Sequence, residues 1–310
     1  MKVALCFLIS YEQVINKEHI WREWIEANKD IINVYFHYKD YSTIESEWVK
    51  KHAIPQKYIV ETSYYHVVHA YFSTMHYAFL HDRNNKWFCF LTDSCVPIVS
   101  PFRFREMFFN HYNETIMNWK KAWWNIQMHK RANLRQLGEE FRLANDPWFI
   151  IKREDVQRCI IYSNKNIDIF RLICAGGLAN ESIFAIILYS MNVLGRVKRE
   201  VTHCVDWSRM SSTTSPHIFK EGSKRDLDYI NKFLKENQYT LFLRKTHIEF
   251  PDSILLSYIY EREKVSEDRV SKLKRIEYGF LFQRLFSHLI KFSLIGFILF
   301  SCYYVYIDVK

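Results

Sequence analysis

One glutamate stands where the chain turns from loop to hydrocarbon. In GGLANESIFAIILYS, residues 176–190, two glycines and Asn180 read as a loop and a helix start, and Ile183 to Leu188 then read as a helix apolar on nearly every side. Glu181 at this junction has two compatible readings. An acid in the first helical turn complements the macrodipole by up to about 1 kcal/mol. A carboxylate at the lip of an apolar pocket is also a general base. Other candidates carry less. Asp226-Leu227-Asp228 is the literal Asp-x-Asp, but its place in KRDLDYINKFL reads as charged helix surface. His66, His69 and His76 stand at i, i+3 and i+10 with no acid or cysteine at ligand spacing, so they read as a helix face. The cysteines number seven, and none form a C-x-x-C pair, which supports neither a disulfide framework nor a zinc cluster. They read as buried thiols, with a single bridge left open. NET at 113–115 and NES at 180–182 spell N-glycosylation triplets, the second overlapping Glu181.

These residues need elements to position them, and the sequence supplies an alternation. KVALCFLIS near the N-terminus reads as a buried first strand rather than a signal peptide, because polar YEQVINKEH follows at once. HIWREWIEANKD reads as a helix, INVYFHYKD as a strand, QKYIVE as a third strand, and YYHVVHAYFSTMHYAFLHD as a helix. KWFCFLTDSCVPI returns to a continuous apolar strand; KREDVQRCIIYS and RDLDYINKFLKENQ are later helices, and QYTLFLRK is a late strand. Strands apolar on both faces and alternating with helices predict a mostly parallel sheet flanked by helices. In such sheets ligands sit beyond the carboxyl ends of the strands. His37 to Asp40 and Thr92 to Cys95 fall there.

With 310 residues, 49% hydrophobic and 25% charged, the chain has ordinary globular composition. A net charge of +9 suits an anionic partner: nucleic acid, a lipid surface or a nucleotide diphosphate. The positive charge is spread through pieces such as KRANLR and KLKR rather than blocked, which weighs against nucleic acid. The C-terminal part differs. Residues 251–288 read as a charged, helical connector. Phe292 to Ile307 carry no charge, but a helix of those sixteen residues reaches only about 24 Å against a roughly 30 Å hydrocarbon core. Snorkelling by Lys291, extension through LFSHLI and an interfacial belt of Tyr303, Tyr304 and Tyr306 make 289–307 a candidate membrane anchor. A hydrophobic tail packed on the domain is the other reading.

Three blocks in order, KWFCFLTDSCVPI, NDPWFIIKRED and THCVDWS, resemble the core-2/I-branching β-1,6-N-acetylglucosaminyltransferase family. The first is similar to the family's strand running into a SESC-P turn. The second is similar to G-S-Q-W-F-L-R, with Trp148, Phe149 and Arg153 in place. The third is similar to T-x-V-D-W. Between the last two, ANESIFAIIL occupies the place of D-E-x-Y-x-x-T-L, with Glu181 on the family's catalytic glutamate. SPHIFKEG and YTLFLRKTH are similar to the His-Pro stretch and the closing F-L-F-A-R-K-F. The resemblance covers about residues 2–250. Asn180 replaces an acidic neighbour of the glutamate, His217 follows its proline instead of preceding it, and the N-terminal anchor typical of the family is missing from the pattern.

The resemblance implies a GT-A-like Rossmann-type α/β nucleotide-sugar transferase domain over 1–250. It implies inverting transfer of a sugar, foremost N-acetylglucosamine, from a UDP-sugar to a hydroxyl of a glycan or glycoprotein in β linkage. Glu181 is then the base. Arg244 and Lys245, otherwise a solvated strand terminus, become the clamp on the departing diphosphate, with Lys245 the better match. Trp207 becomes the acceptor-sugar platform. Trp148 and Asp93 are further acceptor contacts, or packing and turn capping respectively. Tyr35, His37 and Lys39 lie where the family grips the donor, although Lys39 departs from an acidic position. Thr92-Asp93-Ser94-Cys95 supplies a single acid, so no metal and no cofactor are expected, basic side chains replacing the cation. The rival readings are a membrane-tethered glycan-binding protein of the same fold, a xylosyltransferase, and a basic nucleic-acid-binding protein.

Overall fold

The computed structural model describes residues 1–308 except Tyr11, Met128 and His129; within the last helix the side chains of 301–308 and of several positions between 284 and 300 are also outside the description. The chain divides into two compact units, Met1–Glu263 and Lys264–Lys310. The first unit runs β1 (Lys2–Leu8), α1 (Glu18–Glu26), β2 (Ile32–His37), α2 (Glu47–His52), α3 (Val68–His81), β3 (Asn85–Thr92), β4 (Val96–Pro97) and α4 (Pro101–His111). It continues with β5 (Trp119–Lys121), β6 (Leu143–Asn145), β7 (Ile150–Lys152), α5 (Arg153–Lys165), α6 (Ile167–Cys174), α7 (Ile183–Ser190), β8 (His203–Val205), α8 (Lys224–Glu236), β9 (Phe242–Arg244) and α9 (Asp252–Leu256). The second unit is dominated by α10 (Glu267–Asp308).

The result is a mixed α/β architecture. The main sheet has the order β2-β1-β3-β7, parallel across β2-β1-β3 and antiparallel at β7. A second sheet has the order β4-β9-β8, and β5 pairs with β6 alone. β1 is central and reads as continuous hydrocarbon because both of its faces are covered: Val3 to Phe7 are fully buried. On one face, α3 turns Val68, Tyr71, Phe72, Met75 and Ala78 inward at helical spacing. Phe184 of α7 joins them, stacked on Phe72 at 5.4 Å and edge-on to Phe149 at 4.7 Å. All six residues from Ile183 to Leu188 are buried, so α7 is a core helix. Each of its buried Ile, Leu and Phe side chains stabilises the fold by about 1.5–3 kcal/mol.

Several expectations need correction. QKYIVE is not a strand: Pro55 starts a 3-10 turn over Gln56–Tyr58. Only Ala53 reaches the edge of β2, bridging Phe36, before the proline turns the chain away. His66 lies outside the helix, in a bridge with Ser63, while His69 and His76 sit on the outer side of α3 against Phe170 and Tyr58. Asp226 is not helix surface. It is 4% exposed, closes a capping box with Ser223, and accepts from Arg209 Nη1 at 2.8 Å and from His217 Nε2 at 2.9 Å. Six cysteines are buried and unpaired, and Cys302 lies outside the described side chains. Among the described residues no group of three His, Cys, Asp or Glu is disposed to hold a metal, and no helix is long and apolar enough to cross a membrane. Much of the segment 289–307 falls outside the described side chains.

Candidate functional site

Glu181 ends a 3-10 turn, Ala179–Glu181, immediately before α7. Ser182 caps this helix with no side-chain bond. Asn145, at the end of β6, supplies the missing links: its Oδ1 accepts from Ala185 N at 3.2 Å and its Nδ2 donates to Asn180 O at 2.9 Å. Glu181 is thus fixed at the rim of the aromatic core by a strand and not by helix capping alone. Asn180, the triplet's acceptor, is buried, which removes that NES triplet as an exposed modification site.

Glycine brings the glutamate's counter-charge close. A Cβ on Gly176 would lie 2.3 Å from Asn133 N, so only glycine permits the 131–133 segment to rest against this loop. Ala132 N donates to Gly177 O at 3.0 Å, and Arg131 Nη1 reaches Glu181 Oε2 at 3.4 Å. The glutamate side chain remains 20% exposed. Burial pushes its carboxyl above the ordinary value; Arg131 opposes the rise and Asp146 adds to it. Asp146 is itself pushed up to about 6, by burial first, against Asn118 and Lys120.

Glu181 opens onto a cleft of about 490 Å³, lined among others by Asp146, Arg131, Trp148, His203 and Trp207. Trp207 is 47% exposed. It is held so by the turn beneath it, where fully buried Asp206 accepts from Ser208 N at 2.8 Å and from Arg209 Nε at 2.6 Å. Trp148 forms another wall, with the Arg244 guanidinium 4.3 Å from its ring. His203 lies behind, 6.2 Å from Trp148 and 5.0 Å from Phe242. Burial and Arg244 keep this imidazole neutral. His203 Nε2 and Arg244 Nε are buried atoms without a hydrogen-bond partner.

The late-strand cations differ from one another. Arg244 is 9% exposed; its Nη1 donates to Ser94 Oγ at 2.8 Å and to Thr92 Oγ1. Its guanidinium therefore ties β9 to the end of β3. Lys245, partly exposed, has no hydrogen bond or ion pair from its ammonium among the described residues. Burial and Arg244 push it down, while Tyr64 and Asp93 act the other way. Asp93 accepts from Ser10 N at 3.1 Å through Oδ2. The hydroxyl of fully buried Tyr71 donates to Pro147 O at 2.9 Å, and this tyrosine feels both Arg244 and Glu181, which links the two parts of the site.

The residues at the end of β2 are engaged by protein. His37 Nε2 accepts from Val60 N at 3.2 Å, and burial followed by Lys39 pushes its pKa down to about 4. Lys39 Nζ donates to Thr62 O at 2.8 Å. Tyr35 sits elsewhere, its hydroxyl bonded to Asn85 and His81 at the other end of the sheet. The structure therefore brings together Glu181, Trp148 and Trp207, and places Arg244 behind them. His37, Lys39, Asp93 and Lys245 belong to the strand ends, and they are not among the residues lining the cleft. The sequence alone does not single out Arg131, Asp146 or His203: KRANLR carries only diffuse charge, and the other two lie inside blocks whose signal is their tryptophans.

A family model described as Branch: Core-2/I-Branching enzyme matches residues 5–231. No curated protein sequence matches the chain.

Proposed function

Because the chain belongs to the core-2/I-branching enzyme family, a family of glycosyltransferases, we propose that it is an inverting transferase that moves a sugar, foremost N-acetylglucosamine, from a UDP-sugar to a hydroxyl of a glycan or glycoprotein in β linkage, on a GT-A-like, Rossmann-type domain. The acceptor oxygen attacks the anomeric carbon as the bond from that carbon to the diphosphate breaks. The bonding pair leaves with the diphosphate, and the hydroxyl proton passes to Glu181. A single displacement of this kind inverts the centre.

The observation that carries the reading is Glu181 at the edge of a cleft with two tryptophan walls, its carboxyl pushed above the ordinary value by burial. A base works best when its pKa lies near the operating pH. Trp207 offers its face to the C–H side of an acceptor sugar, with Trp148 beside it. Lys245, without a hydrogen bond or ion pair from its ammonium among the described residues and subject to the charge of Asp93, suits the leaving diphosphate, and Arg244 holds the strand end from which it projects. His37 and Lys39 are assigned to the donor at the β2 end, and Asp93 to a sugar hydroxyl. No metal is needed in this scheme: Asp226 of the Asp-x-Asp is engaged by Arg209 and His217, and the charge on the leaving group is met by side-chain cations.

One observation favours a second reading, a glycan-binding protein without turnover: Arg131 reaches the same carboxylate and would hold it as a structural ion pair. UDP release from a panel of UDP-sugars, with and without glycan acceptors, separates the two. Acceptor-stimulated release abolished by Glu181→Gln is the expected result; release retained in that variant removes Glu181 from its role, and glycan binding with no release from any donor supports the second reading. Membrane attachment through 289–307 belongs to the same proposal. The full chain should float with phospholipid vesicles, and a chain ending at Glu263 should not.

A further inference from the structure

We infer that Asp146 is a second substrate-binding carboxylate, gripping a hydroxyl of the same sugar that offers its reacting hydroxyl to Glu181. The inference deepens the proposed function and rests on it for the identity of the reacting group, but not for the binding. Asp146 lines the same cleft as Glu181, Trp148 and Trp207. Its position is built by the scaffold: Asp146 N donates to Asn118 O at 3.0 Å, and Asn118 Nδ2 donates to Asp146 Oδ2 at 3.1 Å. The preceding Asn145 ties the same strand end to α7 and hence to Glu181. Oδ1 has no hydrogen-bond partner among the described residues and is not sealed from solvent.

An ionised carboxylate is acceptor-only, so the ligand must supply donors. A neutral polyol does so and a phosphate does not. The charged groups facing the pair are Lys120 toward Asp146 and Arg131 toward Glu181, with the Tyr71 hydroxyl near Glu181. Lys120 is held over the Trp123 ring at 3.9 Å, which leaves Asp146 without a close ion pair.

The test uses the full chain and methyl hexopyranosides with their monodeoxy analogues, binding being read by saturation-transfer NMR so that no turnover is required. For the best-bound glycoside, removal of one hydroxyl should weaken binding by about 10-fold or more, the loss of a charge-assisted hydrogen bond. Asp146→Asn should weaken the parent glycoside similarly and abolish the further penalty at that one position, while UDP binding by calorimetry stays unchanged. The same deoxy penalty in variant and wild type overturns the inference. If Asp146→Asn does not fold, the 13C shift of the Asp146 carboxyl in the wild type replaces it: the shift should move with the parent glycoside and not with the weakened deoxy analogue, and no movement overturns the inference. A chain that releases no UDP but shows this coupling sinks the transferase reading and leaves Asp146 in place.

Discussion

The cleft under Glu181 and the strand-end region around Lys245 are built from the same core, yet they treat their polar groups differently. At the strand ends most are already engaged: His37 by Val60, Lys39 by Thr62, Arg244 by Thr92 and Ser94. Only Lys245 stands without a partner among those named. In the cleft, asparagines hold the backbone while Glu181 and Asp146 keep carboxylate oxygens toward open space. Buried polar groups are ordinarily satisfied, so the places where they are not mark where a ligand is expected. The difference teaches that a cation at a strand end is a candidate only once its partners have been read.

The largest test of that comparison is Glu181→Gln. Loss of a general base lowers turnover by about 10²–10⁴-fold, read as kcat for UDP release, with sugar binding kept. Next, Lys245→Ala should weaken UDP binding by about 10–100-fold in calorimetry, the worth of a charge-assisted contact. Lys39→Ala should weaken it far less, since its ammonium is held by Thr62; equal losses would erase the distinction drawn between the two lysines.

A smaller effect sharpens the cleft side. Glu181 and Asp146 both have raised carboxyls, so the native chain binds more protons than the unfolded chain between the ordinary carboxylate value and, for Asp146, about 6. Their joint contribution to stability therefore falls as pH rises through that window. Asp146→Asn removes its share, and its melting temperature relative to wild type should rise from about pH 4 to pH 7. Its acid limb in kcat/KM should move to lower pH, because a negative neighbour that raises Glu181 is gone. The smallest expected effect is at His37. A ring with its pKa pushed down to about 4 stays neutral, so UDP binding by wild type and His37→Gln should keep a constant ratio between about pH 5 and 8.

What the sequence determined by itself was the local and the periodic. The apolar run of β1, the inward stripe of α3 and the wholly apolar α7 were readable because burial on one or both faces dictates residue type along the chain. The ordered blocks placed Glu181, Trp148 and Trp207 in one family pattern by resemblance, not by periodicity. What tertiary structure decided was which polar groups meet and which remain unpaired. Arg131 comes to Glu181 across 50 residues because Gly176 lets two loops touch, and Asp146 comes through Asn118 and Asn145. Asp226 is a buried link and not a surface acid because Arg209 and His217, 17 and 9 residues back on the preceding loop, close on it. Hydrogen bonds and ion pairs over such separations leave no period in the sequence; only the fold, by bringing distant backbone together and excluding water, sets their geometry and the protonation that follows from it.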